Sequence, residues 1–313
     1  MKKYHISIVS VIFFFLPITI LLVSPTNLYS QTAPGKGYET ITLHPEYNHT
    51  KWGIEPSDHL YHFAAYTTSF DGKDDNNSDS KDDVWGVPEW VAYEVKEEKD
   101  EGVGKYSRPK WLTDDELHKQ GIAPNDATYA VSGTRKLKEV SGDYRYVRGH
   151  MCPKDAADRI SMEAGFNTHT VLNAVPQLQW QNNGIWKSLE KQVTEWADKY
   201  GSVWVVCGPV FFGKTPAVWL GQNDEVKAAV PDAIYKIVIR ETEQGIETLT
   251  FIFPNVIPKK KKDFAEYLTS IGRLENLTGL KFLTSLDENV QTIEKKENDG
   301  LELSEKKQVV DTW

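Results

Sequence analysis

The stretch Tyr146-Val147-Arg148-Gly149-His150-Met151-Cys152-Pro153, continued by Asp155, Asp158 and Arg159, decides how the rest of the chain is read. It sets a guanidinium beside an imidazole. In an extended segment alternate side chains share one face, so Arg148 and His150 are expected to point into one cleft, with Gly149 leaving room between them for a phosphate. Hydrolysis of a phosphodiester needs a base for water, positive charge on the equatorial oxygens and stabilisation of the departing alkoxide. His150 and Arg148 supply the first two.

Downstream lies Gln181-Asn182-Asn183-Gly184-Ile185-Trp186-Lys187-Ser188-Leu189-Glu190. Trp186, Leu189, Val193, Trp196 and Tyr200 recur at steps of three and four, which predicts a helix starting at Asn182 with one buried stripe and Gly201 as its stop. The bland reading makes Asn182 a helix cap and Glu190 a solvated carboxylate. An offset of eight residues turns about 80° at 3.6 residues per turn, placing Asn182 and Glu190 on adjoining faces. Magnesium keeps several waters and takes only one or two protein oxygens, so an amide ligand with a carboxylate holding the metal's waters is chemically adequate.

Working outward, 59–70 (HLYHFAAYTTSF) and 84–96 (VWGVPEWVAYEVK) are rich in aromatic and β-branched residues and predict strands, with the acidic run DGKDDNNSDSKDD as a loop between them. That run lacks the glycine and closing glutamate of an EF-hand. SVWVVCGPVFF predicts a strand ended by its Gly-Pro turn signal, and AIYKIVIRE and TLTFIFPNV predict two more. Helices are expected at 263–270 and 271–278. No linker divides 59–286, so these residues form one domain, preceded by a flexible lead-in at 31–58. The tail, 287–313, is charged and weakly apolar, a composition that is often disordered, though Val309, Val310 and Trp313 could dock.

At the other end, Lys2 and Lys3 precede an apolar run from Ile6 to Val23 and a small, polar exit, the outline of a signal peptide spanning 1–30. The rival is an uncleaved membrane anchor. Cleavage would remove two lysines and no acids from a chain already at net charge −9. That balance argues against a tight passive polyanion binder more than against a turnover enzyme, which needs only a local basic surface. Cys152 and Cys207 are the only cysteines, and export permits a disulfide between them; two buried thiols is the alternative.

RGHMCPKDAADR followed by LNAVPQLQWQNNGIWKSLE resembles the DNA/RNA non-specific endonucleases of the ββα-metal superfamily, the Serratia-type and endonuclease G-like enzymes. PEWVAYEV, YSRPKW, VWVVCGPVF, PDAIYKIVI, FIFPN and LENLTGLKF extend the resemblance from about residue 59 to 286. It implies an α+β fold with a mostly antiparallel central sheet flanked by helices. It also implies cleavage of DNA and RNA to 5′-phosphate products with Mg2+ or a similar ion such as Mn2+. His150 would be the general base, Asn182 the metal ligand and Glu190 the residue orienting the metal's waters. Arg148 and Arg108 would contact phosphate, with Asn173 a further substrate-binding residue. A homodimer and an inhibitor protein are the partners it admits.

One departure matters. The family pattern opens Asp-Arg-Gly-His, and here that position is Val147, with Asp143 or Asp155 as candidate replacements for the lost carboxylate. Val147 motivates one alternative, a catalytically weakened nucleic-acid-binding protein. The acidic charge motivates another, an envelope phosphodiesterase acting on a different substrate. The lysines at 259–262 read as a solvated turn, and Trp186 and Trp196 as core.

Overall fold

Strands whose alternate residues enter two separate cores build the centre of the molecule. The computed structural model describes residues 41–313 apart from 48, 56, 58, 71–84, 99–102, 104–105, 130–145, 223 and 258–262. The signal segment, the acidic run at 71–83, Asp143 and the lysines at 259–262 therefore lie outside the described residues.

Seven strands form one sheet in the order Leu268–Thr269, Gly245–Pro254, Ala233–Thr242, Ser202–Val210, Pro88–Lys96, Thr67–Phe70, His59–His62, every neighbouring pair antiparallel. One face sends Val91, Tyr93, Val203, Val205, Ile234 and Val238 against Leu189, Val193 and Trp196 of the helix Lys187–Tyr200. The other sends Trp90, Ala92, Val206, Tyr235 and Ile237 against Ile271 and Leu274 of the helix Ile271–Thr278. Covering both faces explains why the central strands read as continuous apolar runs. The fold is α+β, as the resemblance implies.

Apart from this sheet, Tyr146–His150 pairs antiparallel with Ala174–Leu178 in a two-stranded ladder, with His150 opposite Ala174 and Arg148 opposite Pro176. A helical run from Gln179 to Tyr200 follows. These three pieces are the strand–strand–helix unit that carries the candidate site.

Several local expectations are corrected. The strand at 202–210 runs straight through Gly208-Pro209 instead of turning there. Its pairing with Pro88–Lys96 ends at Cys207, so the missing N–H of Pro209 breaks no ladder bond on that side. At Gly208 a Cβ would lie 2.4 Å from the Glu89 carbonyl, so glycine is needed for close approach. The expected helix at 263–270 is instead a single 3₁₀ turn, Phe264–Tyr267, followed by the edge strand Leu268–Thr269. Pairing of Leu268 and Thr269 with Phe251 and Thr250 wins over local helical preference.

Order also begins before residue 59. Ile41 is fully buried, and Ile54–Glu55 pairs with Lys281–Phe282, so the lead-in docks through its aliphatic residues. The tail folds into helices Glu288–Glu294 and Leu303–Thr312. Trp313, only 5% exposed, packs edge-on against Trp196 at 4.6 Å while Arg240 lies 4.8 Å over its ring. One aromatic anchor and Val310 supply the burial that the tail's composition seemed to lack.

Candidate active site

His150 ends its strand with Nε2 shielded from solvent and without a hydrogen-bond partner. The ring lies against Trp111, tilted at 4.6 Å between centroids, and meets His169 edge-on at 4.6 Å. Burial, followed by His169, Arg108, Arg148 and Lys154, holds the imidazole well below its ordinary range. His150 is therefore neutral at physiological pH, with a lone pair available to take a proton.

Two residues back on the same strand, Arg148 is paired through Nη2 with the Asp126 carboxylate, and donates from Nη2 to the Asp126 carbonyl at 3.1 Å. Its guanidinium lies 5.5 Å from the Trp111 ring and 5.9 Å from Tyr129. Arg148 Nε is buried and unpartnered. Strand alternation puts this free donor and the unpartnered ring nitrogen of His150 on one face.

Gly149 faces the other way. A Cβ there would meet Gln177 Oε1 at 1.9 Å, so the glycine makes room for Gln177 and not for a phosphate between its neighbours. Asn173 is corrected too. It is fully buried, its Oδ1 accepts from Cys152 N at 2.8 Å, and its Nδ2 donates to Cys152 O at 2.9 Å and Thr168 O at 3.0 Å. Asn173 clamps the chain leaving His150 from a position closed to solvent in this structure.

The helix does not begin at Asn182. Residues Gln179–Gln181 are already helical, and Asn182–Trp186 form a π turn in which Lys187 N–H reaches back five residues to Asn182 O. Gly184, at φ −105° and ψ −105°, absorbs the irregularity. A π turn inserts one residue into the helix, so an eight-residue offset acts as seven, and Asn182 and Glu190 come within about 20° of one line instead of 80°.

Asn182 Nδ2 lies 3.5 Å from Asn183 Oδ1, which leaves its own amide oxygen available. Burial raises Glu190 to about 7, with Lys236 and a hydrogen bond from Trp186 pulling the other way. Lys236 is fully buried, donating to Tyr93 Oη at 3.1 Å and lying 4.2 Å over the Trp186 ring. Trp186 Nε1 also donates to His150 O at 3.3 Å, tying the helix to the strand that ends at His150.

Among the described residues no three His, Cys, Asp or Glu side chains converge as metal ligands. An amide oxygen plus a carboxylate needing positive charge suits a hard, water-rich ion and not zinc. Cys152 and Cys207 are both free and buried, so of the two readings the pair of buried thiols is the one this structure holds. Burial pushes the Cys152 thiol up and Cys207 to about 12, leaving both inert.

Arg108 is exposed, and its Nε donates to His169 Nε2 at 3.0 Å. Sequence reasoning missed His169, Trp111, Asp126 and Lys236. His169 gave no signal beyond a lone histidine in Thr168-His169-Thr170, and the others arrive from elements whose packing no periodicity announces.

With this geometry in view, the model of the DNA/RNA non-specific endonucleases matches residues 65–289. The mitochondrial nuclease EXOG of Mus musculus is 28% identical over 227 residues, covering 68% of this chain and 56% of that protein. Mitochondrial endonuclease G of Homo sapiens is 28% identical over 206 residues, covering 63% and 64%. A nuclease of Serratia marcescens is 27% identical over 223 residues, covering 69% and 74%. The chain thus spans well under two thirds of the length of the mouse relative. The solved EndoG/EndoGI complex contains a chain of similar fold, with a TM-score of 0.57 at 21% identity over 76% of this chain and 91% of that one.

Proposed function

The chain belongs to the DNA/RNA non-specific endonuclease family, and from that premise we propose that it is an exported endonuclease hydrolysing phosphodiester bonds of both DNA and RNA with a divalent cation, Mg2+ or Mn2+. One observation carries this reading: His150 Nε2, a ring nitrogen, and Arg148 Nε, a guanidinium donor, are both buried without partners on one strand face. Buried polar atoms left unpaired are costly, and a substrate phosphate with its attacking water would satisfy both.

His150 takes the proton from the attacking water, which its neutral state at physiological pH allows. Arg148 and Arg108 neutralise charge on the phosphate oxygens. Asn182 would hold the metal and Glu190 would fix the waters around it, a division of labour that the carboxylate's raised affinity for positive charge supports. When bound, the cation supplies charge stabilisation at the departing oxygen. Contacts confined to phosphate imply weak base preference. The basic start and apolar run at 6–23 support export. Among the described residues no helix is long and apolar enough to cross a membrane. An inhibitor protein is part of the same proposal, by analogy with the complex solved for the similar fold.

Digestion of plasmid DNA and of RNA by the full chain with Mg2+ tests the reading. Activity should vanish in EDTA, return on adding metal, and fall about 10²- to 10⁴-fold in His150→Ala. Equal digestion by wild type and His150→Ala would remove the mechanism. Turnover of a small phosphodiester without polynucleotide cleavage would replace the substrate class.

A further inference from the structure

The strongest group outside the motif is His169, a fully buried histidine touching both an arginine and the proposed base. Its hydrogen bonds fix its tautomer. Thr168 Oγ1 donates its one proton to Gly165 O at 2.7 Å, so at 3.2 Å from His169 Nδ1 that oxygen can only accept. Nδ1 therefore carries the proton, and Nε2 offers a lone pair to Arg108 Nε–H. A protonated ring would set two N–H groups and two positive charges face to face, so the contact requires neutral His169.

Arg108 lies exposed in a segment with no helix or strand, where a long side chain has many rotamers to lose. Its surroundings remove that freedom twice. Leu112 N donates to His169 O at 2.7 Å, tying the backbone of the segment to the histidine, and the Nε bond ties the side chain. Holding a guanidinium by Nε leaves its two terminal nitrogens as a fork that matches the oxygens of a phosphate. Trp111, 5.4 Å from the His169 ring and 4.6 Å from that of His150, closes the group.

We propose that His169 is a positioning residue, which accepts the Nε–H of Arg108 and so aims that guanidinium at the phosphate attacked beside His150. This rests on the nuclease reading above. His169 does not touch substrate; it acts through Arg108.

Kinetics of metal-dependent plasmid cleavage test it on the full chain. Arg108→Ala and His169→Phe, which keeps the ring but removes the acceptor, should each lower kcat/KM about 10- to 100-fold. The double variant should be no worse than either, and His169→Gln, whose amide oxygen can accept the same bond, should recover most of the loss. Wild-type rates in His169→Phe, or losses that multiply in the double variant, overturn the proposal. Should His169→Phe fail to fold, Arg108→Lys decides from the exposed partner: damage equal to Arg108→Ala supports the proposal, and full activity overturns it. Failure of the wild type to cut DNA or RNA with Mg2+ or Mn2+ would overturn the nuclease reading itself and this inference with it, a result visible before any variant is made.

Discussion

Val147 stands where the resembling family carries aspartate, and its side chain sits opposite Gln177, on the face of the strand turned away from Arg148 and His150. The carboxylate beside Arg148 comes instead from Asp126, in the short helix Asp126–Tyr129. Of the two candidate replacements, Asp143 lies outside the described residues and Asp155 acts on Glu190 and Tyr106. Asp126 is partly exposed, so its ion pair adds little to stability, but it fixes where the Arg148 fork points. Asp126→Ala should lower kcat/KM about tenfold with little change in Tm. Unaltered kinetics in that variant would show that Arg148 needs no such anchor.

At the scale of elements, the π turn is the feature with the largest expected consequence. It lets a helix whose buried stripe is set by Leu189, Val193 and Trp196 turn Asn182 toward the line of Glu190. Inserting one alanine after the exposed Asn183 should rotate Asn182 by about 100° relative to Glu190. The expected protein keeps its helical circular dichroism and loses metal-dependent cleavage. Retained cleavage would mean that the alignment of Asn182 with Glu190 has no part in the site. Periodicity made the helix from Trp186 to Tyr200 legible. It could not reveal the irregular turn before it, because a π turn leaves no spacing signal in so short a stretch and only Gly184 hints at it.

Across the whole molecule, three shielded histidines link stability to pH. His49 is lowered to about 4 and His169 to about 3, each mainly by burial, and His150 is also lowered. Below about pH 6.5 the unfolded chain binds protons there that the folded chain refuses, so stability is lost as pH falls, by up to about 1.4 kcal/mol per unit for each histidine. Glu190, raised to about 7, works in the opposite sense in the same window and offsets one of the three. Tm in EDTA should therefore drop between pH 7 and pH 5, and a flat profile would contradict the burial of these rings. The tail belongs to this scale as well. Trp313 seats on Trp196 and Tyr200, joining the last helix to the helix that carries Glu190.

What the sequence determined is what short-range pattern encodes. Apolar runs of strand length made most of the sheet legible, three-and-four spacing gave the helix, and the Arg-Gly-His and Asn-Asn-Gly stretches gave the proposed base, arginine and metal ligand. Only the tertiary structure decided the rest: that Gly149 makes room for Gln177, that Asn173 is a clamp, that the two cysteines are buried free thiols and that His169 and Asp126 hold the arginines. Each of those contacts joins residues whose closeness depends on how whole elements pack, and pairwise proximity across a fold leaves no trace in the order of residues along one chain.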